Sequence, residues 1–258
     1  MEKFSNFENR AERGEEALEE RLKEIAAELR ESDIDVDDFC RIDMEAYEPL
    51  YGQQVKKDIY EIKQREKKWQ KEKPSKEGKQ RKRTNREKME MFKTALFHKA
   101  IGKNFFVLRS SPFDDCNNGI DNVIVEKETG AVVGAFDEVV AKNGKTEKEG
   151  KVAARNTRSG AFLKYGIGAA GAKTTKESNH HIPLFYLALE EEELIDAINR
   201  FNFSEEGLSE LEKELLKKLA ASVKEQAKPI LEIGMFKNKT EDIKKFQTAL
   251  QEAAKQSF

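Results

Sequence analysis

The stretch GIDNVIVEKETGAVVGAFDE, residues 119–138, carries the clearest structural signal in the chain. Residues 123–125 and 131–136 are two apolar runs rich in β-branched side chains, and they are separated by a short polar segment. Gly130 at the end of that segment can adopt the positive φ that a tight loop needs. The pattern predicts a β-hairpin.

The predicted hairpin places acidic residues at its open end. With the loop closed by residues 128–130, the register puts Asp121 directly opposite Asp137 on one face, with β-carbons about 5 Å apart. Two carboxylates at that distance repel each other unless a cation lies between them or one keeps a proton. The hairpin therefore predicts a divalent-metal site. A shift of one residue would instead bring Phe136 or Glu138 opposite Asp121.

The charge of the chain is distributed unevenly. The formal net charge is only −2, and charged residues make up 37% of the 258 residues against 38% hydrophobic ones. Residues 1–50 nevertheless hold 17 acids and 7 Lys or Arg, a charge of −10, whereas residues 55–89 hold 15 Lys or Arg and 6 acids, a charge of +9. Local charge is therefore expected to govern the choice of partners.

The sequence shows no sign of export or of a membrane span. The only cysteines are Cys40 and Cys116, and no apolar run approaches the roughly 20 residues of a spanning helix. Met1 is followed by acids and not by a signal sequence. We expect a reduced, cytoplasmic protein, and these features argue against a disulfide scaffold.

Apolar periodicity predicts the order of the elements. Asn85 can cap a helix, and the glycine-rich segment 166–171 is expected to be a flexible hairpin loop. The predicted helices cover about residues 12–31, 51–73, 85–101, 147–157, 194–201, 208–219 and 243–253. The predicted strands cover residues 105–109, 121–126, 131–140, 161–167 and 182–189.

This order predicts an α/β (α+β) fold with a mixed sheet of about five strands flanked by helices. The segment 74–84 has no apolar residue and is interpreted as a basic linker. We therefore expect an acidic and then basic helical extension over residues 1–84. An α/β domain with C-terminal helices would follow over residues 85–258.

Acidic residues recur at particular points of this order. Glu90 lies on the first helix of the predicted domain, the step from Gly119 to Asp121 opens the second strand, and AFDE ends the third. In these features residues 85–168 resemble the PD-(D/E)XK nuclease superfamily. The resemblance implies a restriction-endonuclease-like core whose metal-binding acids are Asp121, Asp137 and Glu90, with Glu138 assisting.

The lysine of that motif is absent. Val139 stands where the family has it, and choosing the following acid instead places Val140 there. A displaced lysine occurs in relatives of the family. Lys164 on the next strand is the nearest candidate, with Lys142 or Lys151 as alternatives.

The chemistry accounts for these residue types. Mg²⁺ or Mn²⁺ held by carboxylates can activate a water and neutralise charge during phosphodiester hydrolysis. A lysine would orient that water and stabilise the transition state. Asp114 and Asp115, in the loop just before the hairpin, could supply a further ligand. The competing interpretation is that all these acids are solvated or structural.

The basic segment, residues 56–88, gives a second indication of function. Its side chains would release counterions on binding phosphates, which makes binding to nucleic acid strong and salt-sensitive. The alternative is that the segment folds against the acidic amino-terminal helix or against a protein partner. The candidate contacts are Lys67, Lys68, Lys71, Arg81, Lys82, Arg83 and Arg86.

The sequence thus predicts a Mg²⁺- or Mn²⁺-dependent nuclease acting on DNA or RNA. A second possibility is a catalytically inactive module of the same fold that binds nucleic acid or protein. A third is a helical scaffold protein whose hairpin only supports the core.

Overall fold

The computed structural model describes residues 2–72, 83–141, 147–170, 173–202 and 207–255. The helices are α1 (Glu2–Glu31), α2 (Glu48–Tyr51), α3 (Gln53–Glu72), α4 (Asn85–Ile101), α5 (Pro112–Asn118), α6 (Glu147–Arg158), α7 (Glu191–Arg200), α8 (Glu210–Glu232) and α9 (Thr240–Ala253). The strands are β1 (Phe105–Arg109), β2 (Asn122–Glu126), β3 (Val132–Ala141), β4 (Ala161–Ala170), β5 (Lys173–Ile182) and β6 (Leu184–Glu190).

The strands form two separate sheets. A four-stranded sheet has the order β1-β2-β3-β6, and β4 pairs with β5 in a two-stranded sheet. The first three strands are antiparallel neighbours, whereas β6 runs parallel to β3 after a connection through α6 and the β4–β5 pair. The predicted α/β class is confirmed. The single sheet of about five strands was wrong.

The strand that the sequence did not reveal is β5. Its sequence, KTTKESNHHI, has a single strongly apolar residue, so it lacks the alternation by which strands are predicted. The segment 166–171 was expected to be a loop, but β4 continues to Ala170. Gly166 and Gly168 lie in this strand, where an added Cβ would clash with the side chains of Asn179 and Glu177. These glycines permit close strand contact.

The register of the β2–β3 hairpin agrees with prediction at its open end. Asn122 pairs with Phe136 and Ile124 with Gly134. The register shifts between Ile124 and Val125, so the loop side differs from the regular pairing that was predicted. Gly130 has the expected positive φ, at 67°. The Asp121 amide donates to the Phe136 carbonyl at 2.8 Å, which extends the pairing to the start of β2.

Helix α4 lies at the centre of the fold. It packs against β1, β3, α1, α7 and α9, and most of its residues from Met89 onward are buried. Its bounds match the predicted helix, but the capping residue is Thr84 and not Asn85. The Thr84 hydroxyl accepts from the Glu87 amide, and the Glu87 carboxylate accepts from the Thr84 amide at 2.7 Å. This reciprocal capping satisfies two amides at the start of the helix.

The N-terminal helices belong to the same hydrophobic core as the rest of the chain. Apolar residues of α1 such as Leu22 and Ile25 are buried with those of α4 and the sheet. Residues 73–82, which include most of the predicted linker, lie outside the described residues. The domain boundary near residue 84 therefore stays a prediction.

Two further features complete the description. Helix α5, which was expected to be a loop, is capped by Ser111 and ends at Gly119 in the left-handed conformation. In the part of the chain that the structure describes, every helix is too short or too polar to cross a membrane.

Gly134 of β3 provides a test of this packing. A Cβ at Gly134 would lie 2.8 Å from Phe185 Cε2 on the neighbouring strand. Gly134→Ala is expected to lower the free energy of unfolding by about 1–3 kcal/mol through overpacking. Gly150→Ala is the matched control, because a Cβ there meets nothing within 4 Å on an exposed part of α6. The free energy of unfolding of the control is expected to rise by about 0.5–1 kcal/mol, because alanine favours a helix more than glycine does. Urea denaturation measures both, and equal values would contradict the packing of β3 on β6.

Candidate metal centre

Three carboxylates converge beside the open end of the hairpin. Glu90 comes from α4, Asp115 from α5, and Asp121 from the residue that precedes β2. Each offers one oxygen, and the three oxygens lie within 4.8 Å of one another. Glu90 and Asp121 are buried, whereas Asp115 is partly exposed. Among the described residues, these acids are the ones close enough to share an ion.

Local structure explains how the three acids meet. The left-handed Gly119 ends α5 and turns the chain into β2, which brings Asp115 and Asp121 to the same place. Asp121 is then held by β3, because its Oδ2 accepts from the Glu138 amide at 2.5 Å. Glu90 reaches the same point from the first half of α4.

Three arginines neutralise the acids. Arg86 Nη2 lies 2.6 Å from Asp115 Oδ1 and 2.5 Å from Asp121 Oδ1, and its Nε lies 3.2 Å from Glu90 Oε1. Arg109 Nη2 contacts Glu90 Oε2 at 2.7 Å. Arg41 Nη2 contacts the same oxygen at 3.3 Å. Three positive charges thus face three negative ones, which offsets part of the cost of burying them.

Burial and mutual repulsion alter the proton affinities of these groups. Burial, reinforced by the charge of Glu90, raises the pKa of Asp115 to about 6. Burial also works against the charge of Arg86, but the carboxylates of Asp121, Asp115 and Glu90 outweigh it and raise the pKa of Arg86. Arg86 is therefore charged at neutral pH.

A second charged pair lies deeper, behind Asp121. Glu138 is fully buried, and its carboxylate forms an ion pair with Lys93 of α4. Glu138 Oε1 also accepts from Asn122 Nδ2 at 2.9 Å, while Glu138 Oε2 has no hydrogen-bond partner among the described residues. Burial raises the pKa of Glu138 to about 8, and burial lowers the pKa of Lys93. Both shifts favour the uncharged pair.

Two of the predicted site residues lie elsewhere. Asp137 is outside the group of three acids and pairs with Lys148 of α6 at 2.7 Å. Lys164 pairs with the buried Asp58 of α3 and lies over the ring of Phe113. Lys164 therefore joins β4 to α3.

One of the two alternative lysines, Lys151, is not placed at the acids either. Lys151 pairs with Glu147 on the exposed face of α6, at 2.8 Å. Lys142 lies outside the described residues.

The structure describes the side chains of four of the seven predicted nucleic-acid contacts, and these four fall into two groups. Lys67 and Lys68 are exposed on α3. Arg83 instead pairs with Glu19 of α1, and Arg86 points into the acid cluster. The pairing of Arg83 agrees with the alternative in which basic residues fold against the acidic helix. The side chain of Lys71 and residues Arg81 and Lys82 lie outside the described parts of the chain.

Three cations of the centre were not identified from the sequence. Arg109 ends a strand that is otherwise apolar, which is an available signal, because a buried charge in a strand needs a partner. Lys93 follows Glu90 by three residues and so lies on the same side of α4. Arg41, far away along the chain, carries no such signal.

The three acids fit a hard divalent cation. Mg²⁺ and Mn²⁺ prefer oxygen ligands, and an octahedral Mg²⁺ places its ligands about 2.1 Å away, so that the farthest two are about 4.2 Å apart. The three carboxylate oxygens lie up to 4.8 Å apart, so they would have to move only slightly closer together to bind such an ion. Glu90, Asp115 and Asp121 could therefore hold such an ion.

Comparisons with known proteins do not assign this centre. No protein-family model, no curated protein and no solved structure matches the chain. The resemblance to the PD-(D/E)XK superfamily therefore stays a prediction.

The proton affinity of Asp115 gives a testable pH dependence. Its pKa of about 6 lies above the usual 3.8, so its stabilising contribution is present below about pH 4 and is lost as the pH rises through 6. Asparagine at this position does not titrate. The free energy of unfolding of the wild type, relative to Asp115→Asn, is expected to fall between about pH 4 and 6 and then level off. Urea denaturation across this range measures it, and a constant difference would contradict the burial of Asp115.

Proposed function

We propose that the protein is a Mg²⁺- or Mn²⁺-dependent nuclease that hydrolyses phosphodiester bonds in DNA or RNA. The observation that carries this proposal is the convergence of Glu90 and Asp121, two predicted metal-binding acids, with Asp115 as the third. These residues come from three different elements and are 25 and 31 positions apart from Glu90 along the chain.

The order of the elements also supports the proposal. Helix α4 is followed by β1, β2 and β3, then by α6, and then by β6, which pairs with β3. The predicted order was helix, three strands, possible helix, strand, strand, and the resemblance over residues 85–168 rests on the acids placed along it. The β4–β5 pair is an insertion between α6 and β6.

Each part of the centre has a chemical role in this proposal. When bound, the metal would supply a water of lowered pKa and neutralise charge on the phosphate. Glu90, Asp115 and Asp121 would hold it. The Glu138 amide orients Asp121 through its 2.5 Å hydrogen bond, and Lys93 fixes the Glu138 side chain.

The lysine proposed to support the acids is therefore Lys93, through its contact with Glu138, and not Lys164. Lys93 is fully buried, so it acts as a positioning residue that does not touch the substrate. The Lys164 ammonium is already held by Asp58 of α3.

The exposed part of α3 supports nucleic acid as the substrate. Lys67 and Lys68 are exposed there together with the aromatic side chains of Tyr60 and Trp69. Exposed lysines contact phosphates, and aromatic rings can stack on unpaired bases.

Metal binding should raise thermal stability. Mn²⁺ that binds only the folded state stabilises it, by about 2.7 kcal/mol at a hundred times the Kd. We expect the melting temperature to rise with Mn²⁺ in the wild type and to be unchanged by Mn²⁺ in Asp121→Asn. Asp137→Asn is the matched control, because Asp137 pairs with Lys148 outside the three acids, and it should keep the rise. A full rise in Asp121→Asn would remove Asp121 from the metal site.

Nuclease activity should require the same acids. Cleavage of labelled DNA or RNA with Mg²⁺ or Mn²⁺ is expected to fall by a hundredfold or more in Glu90→Gln and in Asp121→Asn, because each loses a metal ligand. Lys93→Met should lower kcat more than Lys164→Met, after both are compared at temperatures well below their melting points. A larger fall of kcat in Lys164→Met than in Lys93→Met would instead assign the supporting role to Lys164.

The second candidate is a catalytically inactive module of the same fold that binds nucleic acid or protein. The balance of three arginines against three acids favours it, because the centre is neutral without a metal. Wild-type protein that binds single- or double-stranded nucleic acid, yet cuts none of it with either metal, would establish this alternative.

A further inference from the structure

Arg86 occupies a different position from the other two arginines of the centre. Its guanidinium contacts all three carboxylates, at 2.5 Å from Asp121, 2.6 Å from Asp115 and 3.2 Å from Glu90. A metal ion shared by the three acids would also have to lie among these carboxylates. Arg86 thus stands in the place of the cation.

The three arginines also differ in how they reach the acids. The side chain of Arg109 is 5% exposed and that of Arg41 is 20% exposed. The side chain of Arg86 is 46% exposed and comes from the first turn of α4, at the solvent side of the centre. Arg86 is therefore the arginine that can leave without crossing the core.

A metal ion and this guanidinium exclude each other. Ligands of Mg²⁺ lie about 2.1 Å from the ion, so carboxylates that close around it leave no room for a guanidinium at hydrogen-bond distance between them. The positive charges also repel each other.

We propose that Arg86 is a resident counterion which a divalent metal displaces, and which then becomes available to a phosphate of the nucleic acid. This inference rests on the proposed function, because it takes the three acids as the metal site. The guanidinium offers paired donors that match a phosphate, and after displacement it remains tethered at the mouth of the site. Metal binding and phosphate binding are therefore coupled through one side chain.

Because Arg86 competes with the metal for the three carboxylates, we expect the wild type to bind the metal more weakly than a variant that lacks this arginine. Arg86→Gln removes the competing charge, so its Kd for Mn²⁺ is expected to fall tenfold or more. Lys88→Gln is the matched control, since it removes one charge from the same turn but pairs with Glu15 of α1. Its Kd should change by less than about threefold. Loss of the free Mn²⁺ signal in electron paramagnetic resonance measures all three constants without any assay of activity.

The expected result is tight Mn²⁺ binding in Arg86→Gln that disappears when Asp121→Asn is added. Equal or weaker binding in Arg86→Gln than in the wild type would overturn the role of Arg86 and leave the proposed metal site intact. Absence of Mn²⁺ binding in both proteins would overturn the metal site itself, and the role of Arg86 with it.

A further variant covers the case in which Arg86→Gln does not fold without metal. Arg86→Lys keeps the charge, but a single ammonium lacks the planar fork that reaches three carboxylates. Its Kd for Mn²⁺ should lie between those of the wild type and Arg86→Gln. An Arg86→Lys protein that folds and binds Mn²⁺ no more tightly than the wild type would overturn the proposal.

Discussion

Neutralising the carboxylates buried beside α4 is the constraint on which the rest of this structure depends. Glu90 is 2% exposed on a helix that is surrounded by the sheet and by other helices. An unpaired buried charge costs several kcal/mol, a large share of the stability of a typical domain. Arg41, Arg86 and Arg109 reach the acids from a loop, from α4 itself and from β1. The acids therefore determine how these segments pack together.

The same need for partners repeats around the core. Lys93 and Glu138 meet between α4 and β3, and Lys164 and Asp58 meet between β4 and α3. Each pair joins elements that are distant along the chain, so the charges orient the packing of apolar surfaces that have little directional preference of their own. Lys164 is held by Asp58 of α3, whereas Lys93 contacts Glu138 next to Asp121.

A centre that is neutral without metal has a functional consequence. The arginines allow the protein to fold before any ion is present, and they also compete with the ion for the same oxygens. If the centre is catalytic, the competition links metal loading to the position of Arg86. If it is not, the same contacts are simply the structural network of an inactive module. The contacts of Arg86 with all three acids from the solvent side are the basis of the proposed displacement.

The sequence by itself determined the local structure. Periodicity predicted the bounds of α4 and the β2–β3 hairpin, including its register at Asn122, because these depend on residues close along the chain. The hairpin register selected Asp121 and the resemblance to the PD-(D/E)XK superfamily implied Glu90, and these two acids do lie together. Only the tertiary structure decided the partners of these acids. Arg41 lies 49 residues from Glu90 and Lys164 lies 106 residues from Asp58, and local patterns carry no information about contacts over such separations. The polar strand β5 depends in the same way on its neighbour β4, so its own residues did not reveal it.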